Sequence, residues 1–273
     1  MQMSDAPLSM LQAIILGLIQ ALTEFLPVSS SGHLVIGQHL LGVKQSGGAL
    51  FEVAVHVGTL ISILIILRKD VSSLIRGLFA RSSRSEEWSQ EIRFIVLSMI
   101  PAGFIGSLFK NELESSFSHL WSVGLALIFT SILLLSTRKL GGQRTEVGVR
   151  DALLIGIAQA IAILPGVSRS GATISTALWL GVERNRAARL SFLMSLPVVG
   201  GAGLLKAIDL ASSLHDKAST LNALMPVLVG SITSFIFGLF ALSAMLKWIA
   251  RPSFAYFGFY CFGVGLISLY YGI

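Results

Sequence analysis

A carboxylate, an imidazole and a guanidinium stand in stretches that are otherwise apolar. Glu24 and His33 flank the polar break PVSSSGH at 27 to 33, and Arg169 sits inside a second break, PGVSRSGAT at 165 to 173. Ionisable groups in apolar segments are costly and are functional candidates by default. Arg169 carries the sharpest signal, because a guanidinium near mid-membrane needs an anion and its rigid fork matches two phosphate or carboxylate oxygens. A structural pair with Glu24 is the plainer alternative. Ser168, Ser170, Gly171 and Thr173 surround Arg169, and Ser29, Ser30, Ser31 and Gly32 repeat the arrangement before His33. Each cluster opens a helix, so backbone N–H groups and a helix dipole face an anion. Serines cap helices routinely, and one cluster alone would signify no more than that.

The two breaks differ in what they offer. The first keeps Glu24 and His33 where the aligned positions of the second are Ile163 and Ala172, and the second supplies Arg169 where the first has Ser30. A hydroxyl, an imidazole and a carboxylate on one side and a cation on the other suit phosphoryl transfer, in which catalysis is mostly positioning and charge neutralisation. His33 lies three residues after Ser30, a spacing that lets the imidazole take or return a proton if the helix starts near Ser31. Glu24 either holds a hard divalent cation, Mg²⁺ or alternatively Ca²⁺, together with phosphate oxygens, or orients His33. Gln20, one turn earlier, extends the same polar face. Glu52 and His56, at i and i+4, are second-rank candidates, and His39 reads as an outer-boundary residue. No P-loop, Rossmann glycine pattern or Cys/His metal cluster is present.

The elements that must position these groups are membrane spans. The 273-residue chain is 53% hydrophobic and only 12% charged, with mean hydropathy +0.79, where soluble domains run about 25% charged. That excludes a soluble enzyme. Cys261 is the only cysteine, so no intrachain disulfide supports the fold. The residues before the first apolar run include Asp5 and no Lys or Arg, which predicts no cleaved signal peptide. Apolar runs at 51 to 67, 92 to 109, 117 to 136, 188 to 208, 221 to 246 and 253 to 272 are long enough to span. Shorter pairs at 8 to 42 and 150 to 182, each broken in the middle, read as re-entrant hairpins.

Charge orients these segments. Arg68, Lys69, Arg76, Arg81, Arg84 and Arg93 fall in one loop, and Arg138, Lys139, Arg144 and Arg150 in another. Arg184, Arg186 and Arg189 form a third cluster, and Lys247 with Arg251 a fourth. All four are cytoplasmic together only if both hairpins return to their starting side, which places both termini outside. The net charge of +6 is read as this topology signal rather than as nucleic-acid binding. Trp121, Trp248, Tyr256, Tyr260, Tyr270 and Tyr271 fit interfacial belts.

Sliding the chain on itself by 139 positions matches Ala13, Gly17, Gln20, Ala21, Val28, Ser29, Ser31 and Gly32 to Ala152, Gly156, Gln159, Ala160, Val167, Ser168, Ser170 and Gly171. The chain is thus expected to be one integral membrane domain, residues 1–273, of two related halves, about 8–136 and 150–273. Three spans follow each hairpin, so the second half is inverted. Interrupted helices in such repeats meet near the midplane and build a site there. The expected fold is an all-α polytopic membrane protein with six transmembrane helices and two re-entrant helical hairpins.

The segments GLIQALTEFLPVSSSGHL at 17 to 34 and LPGVSRSGATIS at 164 to 175 resemble the signature motifs of the bacterial undecaprenyl-diphosphatase family, also called the bacitracin-resistance protein family. FEVAVHVGT at 51 to 59, the length and the hydrophobic profile agree, so the resemblance covers essentially the whole chain. It implies hydrolysis of undecaprenyl diphosphate to the monophosphate and inorganic phosphate, recycling the lipid carrier of peptidoglycan synthesis and giving bacitracin resistance. It also implies a plasma (inner) membrane enzyme that depends on a divalent cation and opens toward the outer, periplasmic side. A homodimer comes from the resemblance alone.

Carried onto this chain, the family's acidic motif falls at Gln20 and Glu24, its serine turn at Ser29 to Gly32, its histidine at His33 and its second motif at Pro165 to Thr173. Family members often have Glu where this chain has Gln20, which weakens any scheme with two carboxylates on a metal. The reading that results assigns catalysis to Ser30, His33, Glu24 and Arg169, with Glu24 on the metal. Gln20, Ser29, Ser31, Gly32, Ser168, Ser170, Gly171 and Thr173 line the substrate. An inverted-repeat lipid flippase or anion transporter is the alternative, and it has no need of the one-sided set of Ser30, His33 and Glu24.

Overall fold

Proline and serine build both hairpins. The first apolar run forms α1 (Met10–Phe25), which starts on a capping box between Ser9 and Gln12 and stops where Pro27 holds Leu26 in extended backbone. Ser29 caps α2 (Ser30–Leu40) by accepting from Gly32 N–H, so this helix begins at Ser30. The second hairpin repeats the plan: α7 (Val149–Ile161) ends before Pro165 and Gly166, and Ser168 caps α8 (Arg169–Trp179) by accepting from Gly171 N–H. Gly166 has φ +97°, a left-handed conformation that glycine adopts without strain.

The computed structural model describes residues 8–43, 49–79, 85–109, 120–213, 217–249 and 251–272. Asp5, Arg81, Arg84 and the first three residues of the run at 117 to 136 lie outside them. The other helices are α3 (Ala49–Ile66), α4 (Arg68–Phe79), α5 (Ser85–Leu108), α6 (Leu120–Ser136), α9 (Arg184–Ser213), α10 (Lys217–Trp248) and α11 (Phe257–Gly272). Among the described residues there are eleven α-helices and no sheet, with only two isolated bridges, Gly142 to Glu183 and Arg144 to Val182.

Three segments are long and apolar enough to cross a bilayer as single helices: Gln90–Leu108, Leu224–Trp248 and Ser253–Gly272. Helices α3 and α4 qualify together but are bent by 80° at Leu67, while α1 and α6 are apolar and shorter, at 16 and 17 residues. Large apolar side chains such as Phe104, Ile132, Phe240 and Phe259 stand exposed on the outside, as lipid-facing surfaces do. The chain is a multi-pass helical membrane protein.

The basic segments are more ordered than a loop reading allows. The segment beginning at Arg68 is the helix α4, and Arg93 lies within α5. Apolar Val71, Leu74 and Ile75 alternate there with Lys69, Ser72 and Arg76, so the segment has a helical stripe that a search for long apolar runs does not detect. Arg186 of α9 pairs with Glu91 of α5, Arg189 with Asp70 of α4, and Arg144 with Asp151 of α7 at 2.7 Å. Arg184 donates to Leu140 O at 2.5 Å. Three of the four basic clusters therefore meet at one end of the molecule, in keeping with a shared cytoplasmic face.

Packing crosses between the halves. Helix α1 lies on α10 and α7 on α5, while α6 packs against α11 and α3 against both α9 and α10. Small residues bring the backbones close: a Cβ at Gly17 would stand 2.5 Å from Gly230 O, and one at Gly156 2.6 Å from Ser98 O. Hydroxyls bond across the α3–α10 contact, with Ser62 donating to Phe235 O at 2.9 Å and Ser234 to Val55 O at 2.8 Å.

Candidate active site

The two breaks touch. Ser29 sits at φ 71°, ψ 98°, a strained position for a residue with a Cβ. Its hydroxyl oxygen accepts from Gly166 N–H of the opposite break at 3.1 Å. Gly32 lies so close to Gly166 that a Cβ would stand 2.9 Å from its Cα. Ser170 donates to Leu26 O at 3.3 Å, and Thr130 of α6 joins the second break by donating to Gly166 O and accepting from Ser168 N–H, both at 3.0 Å. The N-terminus of α2 is thereby fixed beside that of α8.

Glu24, at the end of α1, is the hub of what this junction presents. Ser30 Oγ donates to Glu24 Oε2 at 2.6 Å, Gln20 Nε2 donates to the same oxygen at 3.1 Å, and Arg169 donates from one terminal nitrogen to Oε1 at 2.8 Å. The other terminal nitrogen of Arg169 donates to Ser191 O of α9 at 3.1 Å, which holds the plane of the guanidinium. His56 of α3 approaches from the far side, with Nε2 at 3.9 Å from Glu24 Oε2. Its Nδ1 lies 2.7 Å from Glu52 O, and since a carbonyl only accepts, Nδ1 carries the proton and Nε2 faces the carboxylate. Glu24 is 8% exposed, whereas Ser30, His56 and Arg169 are half-buried and reachable.

His33 is placed differently from the sequence expectation. Its Nδ1–H donates to Ser29 O at 2.8 Å, and its Nε2 meets the Tyr260 hydroxyl at 2.8 Å with the two rings stacked. Both ring nitrogens are engaged away from Ser30, and the proton acceptor on Ser30 is Glu24. The backbone explains this: with the helix starting at Ser30, the imidazole reaches the i−4 carbonyl at Ser29. Nor does Glu24 orient His33, since its partners are Arg169, Ser30, Gln20 and His56.

The remaining expected lining residues are largely committed to the protein itself. Ser168 caps α8, Ser170 ties the breaks, Thr173 donates to Arg169 O at 2.8 Å and meets Ser191 Oγ at 2.7 Å, and Gly171 packs beside Ser168 and Pro27 O. Ser31 remains half-buried beside Ser29. Tyr260 and Ser191 were not among the expected site residues, and His56 ranked second. Each is supplied by a separate element; His56 lies in the FEVAVHVGT segment, and neither Tyr260 nor Ser191 has a motif of its own.

The donor set also bears on a divalent cation. Among the described residues no three His, Cys, Asp or Glu side chains cluster, so an all-protein cage is not available. Gln20 Oε1, however, is buried with no hydrogen-bond partner, one turn from Glu24. A carboxylate with a spare amide oxygen fits a hard cation that takes most of its ligands from phosphate and water.

Thr130 allows a test of the junction itself. Thr130→Val keeps the shape but leaves Gly166 O and Ser168 N–H unpaired in the interior, each at about 1–3 kcal/mol. Thermal unfolding in detergent is expected several degrees lower than wild type, with Thr130→Ser close to normal. An unchanged midpoint for the valine variant would show that Thr130 does not hold the breaks together.

Comparison with known proteins finds relatives over nearly the whole chain. The family described as Bacitracin resistance protein BacA matches residues 13–267, a stretch that includes both breaks. An undecaprenyl-diphosphatase of Bacteroides fragilis is 40% identical over 262 residues, covering 94% of this chain and 96% of its own. One from Christiangramia forsetii is 41% identical over 263 residues, with the same shares. Undecaprenyl-diphosphatase 3 of Bacillus anthracis is 40% identical over 266 residues, 95% of this chain and 96% of its own. With both breaks inside the matched region and nearly the full length shared, the chain belongs to the bacitracin resistance protein BacA family.

Proposed function

We infer that this protein hydrolyses undecaprenyl diphosphate to undecaprenyl phosphate and inorganic phosphate, returning the lipid carrier to cell-wall synthesis and so giving bacitracin resistance. The observation that carries this reading is the sharing of Glu24 between the Ser30 hydroxyl at 2.6 Å and the Arg169 guanidinium at 2.8 Å, where the two breaks meet. A nucleophile, its base and an anion clamp are thus assembled at one point.

In the proposed reaction the diphosphate draws the Arg169 fork from Glu24 onto its terminal phosphate. The Ser30 and Ser31 N–H groups at the start of α2, which have no intrahelical acceptors, face the same charge. Ser30 Oγ attacks the terminal phosphorus as its proton passes to Glu24, and the bond to the bridging oxygen breaks to release undecaprenyl phosphate. His33, with its Nδ1–H on Ser29 O and its Nε2 on the Tyr260 hydroxyl, braces the first turn of α2 that carries Ser30. Water then hydrolyses the phosphoserine, its proton leaving on inorganic phosphate, while Glu24 returns its proton to Ser30 Oγ. Glu24 and Gln20 Oε1 would hold a divalent cation, Mg²⁺ or Ca²⁺, which when bound neutralises diphosphate charge.

The proposed topology is six spans and two re-entrant hairpins in an inverted repeat. Its support is the reciprocal packing of α1 on α10 and α7 on α5, with Gly17 and its counterpart Gly156 each meeting backbone of the other half. The proposed location is the bacterial plasma membrane with the site opening outward, opposite the basic end. Pairing of two copies rests on the family resemblance.

Phosphate release from undecaprenyl diphosphate by the purified protein tests this reading. Release is expected with Mg²⁺ and is expected to fall at least about tenfold with EDTA. Folded protein that releases no phosphate with any divalent cation would leave the transport alternative standing instead.

A further inference from the structure

An apolar cleft of about 270 Å³ lies between α3 and α9, walled by Val53, Val57 and Leu60 on one helix and Val199, Gly200 and Gly203 on the other. His56 belongs to the same wall, and its Nε2 lies 3.9 Å from Glu24 Oε2. His56 therefore links the cleft wall to the charged junction. Val57 is 41% exposed on the outer surface of the helix bundle, so the cleft opens sideways toward lipid. Helix α3 meets the basic end of the molecule at Arg68, so Val53 and Val57 lie in the half of the helix away from that end and Leu60 just past its middle.

The width of the cleft comes from missing side chains. A Cβ at Gly203 would meet nothing within 4 Å, and one at Gly200 only Leu60 Cδ2 at 3.6 Å. Several other glycines let helices touch, as Gly17 meets Gly230 and Gly124 meets Gly265. At 200 and 203 they leave open space instead. An apolar trough with one wall residue beside a carboxylate–guanidinium cluster and its side open at the bundle surface matches an amphiphile whose charged head and apolar tail join at one point.

We propose that the α3–α9 cleft holds the isoprenoid units next to the diphosphate and makes the site selective for membrane-borne diphosphates over soluble ones. This rests on the lipid-diphosphatase reading. The remainder of the tail lies in the bilayer, since the cleft is too small for a long polyprenyl chain. His56 stands at the join, with its ring edge toward Glu24 and its flank on the apolar wall.

The test fills the cleft without touching the junction. Gly203→Leu places a side chain in the open space, and Gly201→Leu, at an exposed position outside the cleft lining with nothing within 4 Å of its Cβ, is the matched control. Displacing roughly two methylene-sized groups of the tail raises KM for undecaprenyl diphosphate about tenfold. The expected pattern is that rise for Gly203→Leu with kcat within about twofold, no change for Gly201→Leu, and unaltered competition by inorganic diphosphate, which has no tail. Val57→Phe, from the opposite wall, is expected to give the same pattern and replaces Gly203→Leu if that variant fails to fold.

Wild-type kinetics for folded cleft variants would overturn the cleft assignment and leave the phosphatase reading intact. A loss of inorganic-diphosphate competition in proportion to KM would also overturn it, because the substitution would then be acting on the charged site. A wild-type protein that releases no phosphate would remove the phosphatase reading itself, and the cleft proposal with it.

Discussion

With lysine in place of Arg169, phosphate release falls by about 100-fold or more although the charge is conserved. The wild-type guanidinium holds two directions at once, Ser191 O at 3.1 Å and Glu24 at 2.8 Å, and this fixes the plane of the fork beside Ser30. An ammonium is a point charge that cannot hold Ser191 O and also present two parallel donors to a phosphate. A 100-fold loss corresponds to about 2.7 kcal/mol of transition-state stabilisation, within reach of one charge-assisted bidentate contact in a water-poor site. The loss is expected mainly in kcat, since the developing charge on the transferring phosphoryl group is what the fork meets. A lysine variant with near-normal turnover would show that only the charge matters and that the pairing with Glu24 is structural.

Removing the Ser30 hydroxyl is expected to cost more, about a thousandfold or beyond. Ser30→Ala removes the group that receives the phosphoryl, and Glu24→Gln leaves the hydroxyl without an acceptor for its proton; the second change is expected to cost about 100- to 10,000-fold. If the two act as one unit, the double variant is no slower than Ser30→Ala alone. Gln20, Arg169 and His56 still surround Glu24 when the hydroxyl is gone, so Ser30→Ala should fold normally. Additive losses in the double variant would mean that Glu24 works independently of Ser30.

The sequence exposes the charged part of this site well because charge is rare in apolar segments. Glu24 and Arg169 lie 145 residues apart, and both the cost of burying them and the repeated Ser-rich breaks point to a single meeting place. The breaks themselves follow from Pro27 and Pro165, whose effect on the preceding residues is local. Partners that depend on helix packing were less visible. Tyr260 reads as an interfacial aromatic until α11 is set beside α2, and its contact with His33 spans 227 residues.

Thr130 and Ser191 carry hydroxyls within long helices. Such hydroxyls usually bond the preceding turn, as Ser195 and Thr233 do here, so spacing alone does not separate a structural serine from one at a junction. His33 illustrates the limit of spacing. Three residues after Ser30 places it on the adjoining face, but the Ser29 carbonyl, one position further back, takes its Nδ1–H. The reverse holds for His56, where an i, i+4 relation to Glu52 suggests a local pair. The structure gives that relation a backbone bond from His56 Nδ1–H to Glu52 O and turns the other nitrogen toward Glu24.

The most direct test of the account is a rapid acid quench of wild-type protein mixed with undecaprenyl diphosphate labelled in its terminal phosphate. The predicted result is label attached to the protein during the first turnover, located at Ser30 by peptide mapping and absent from Ser30→Ala. First-turnover release of inorganic phosphate with no label on Ser30 at any time, together with substantial activity in Ser30→Ala, would contradict the assignment of Ser30 as nucleophile.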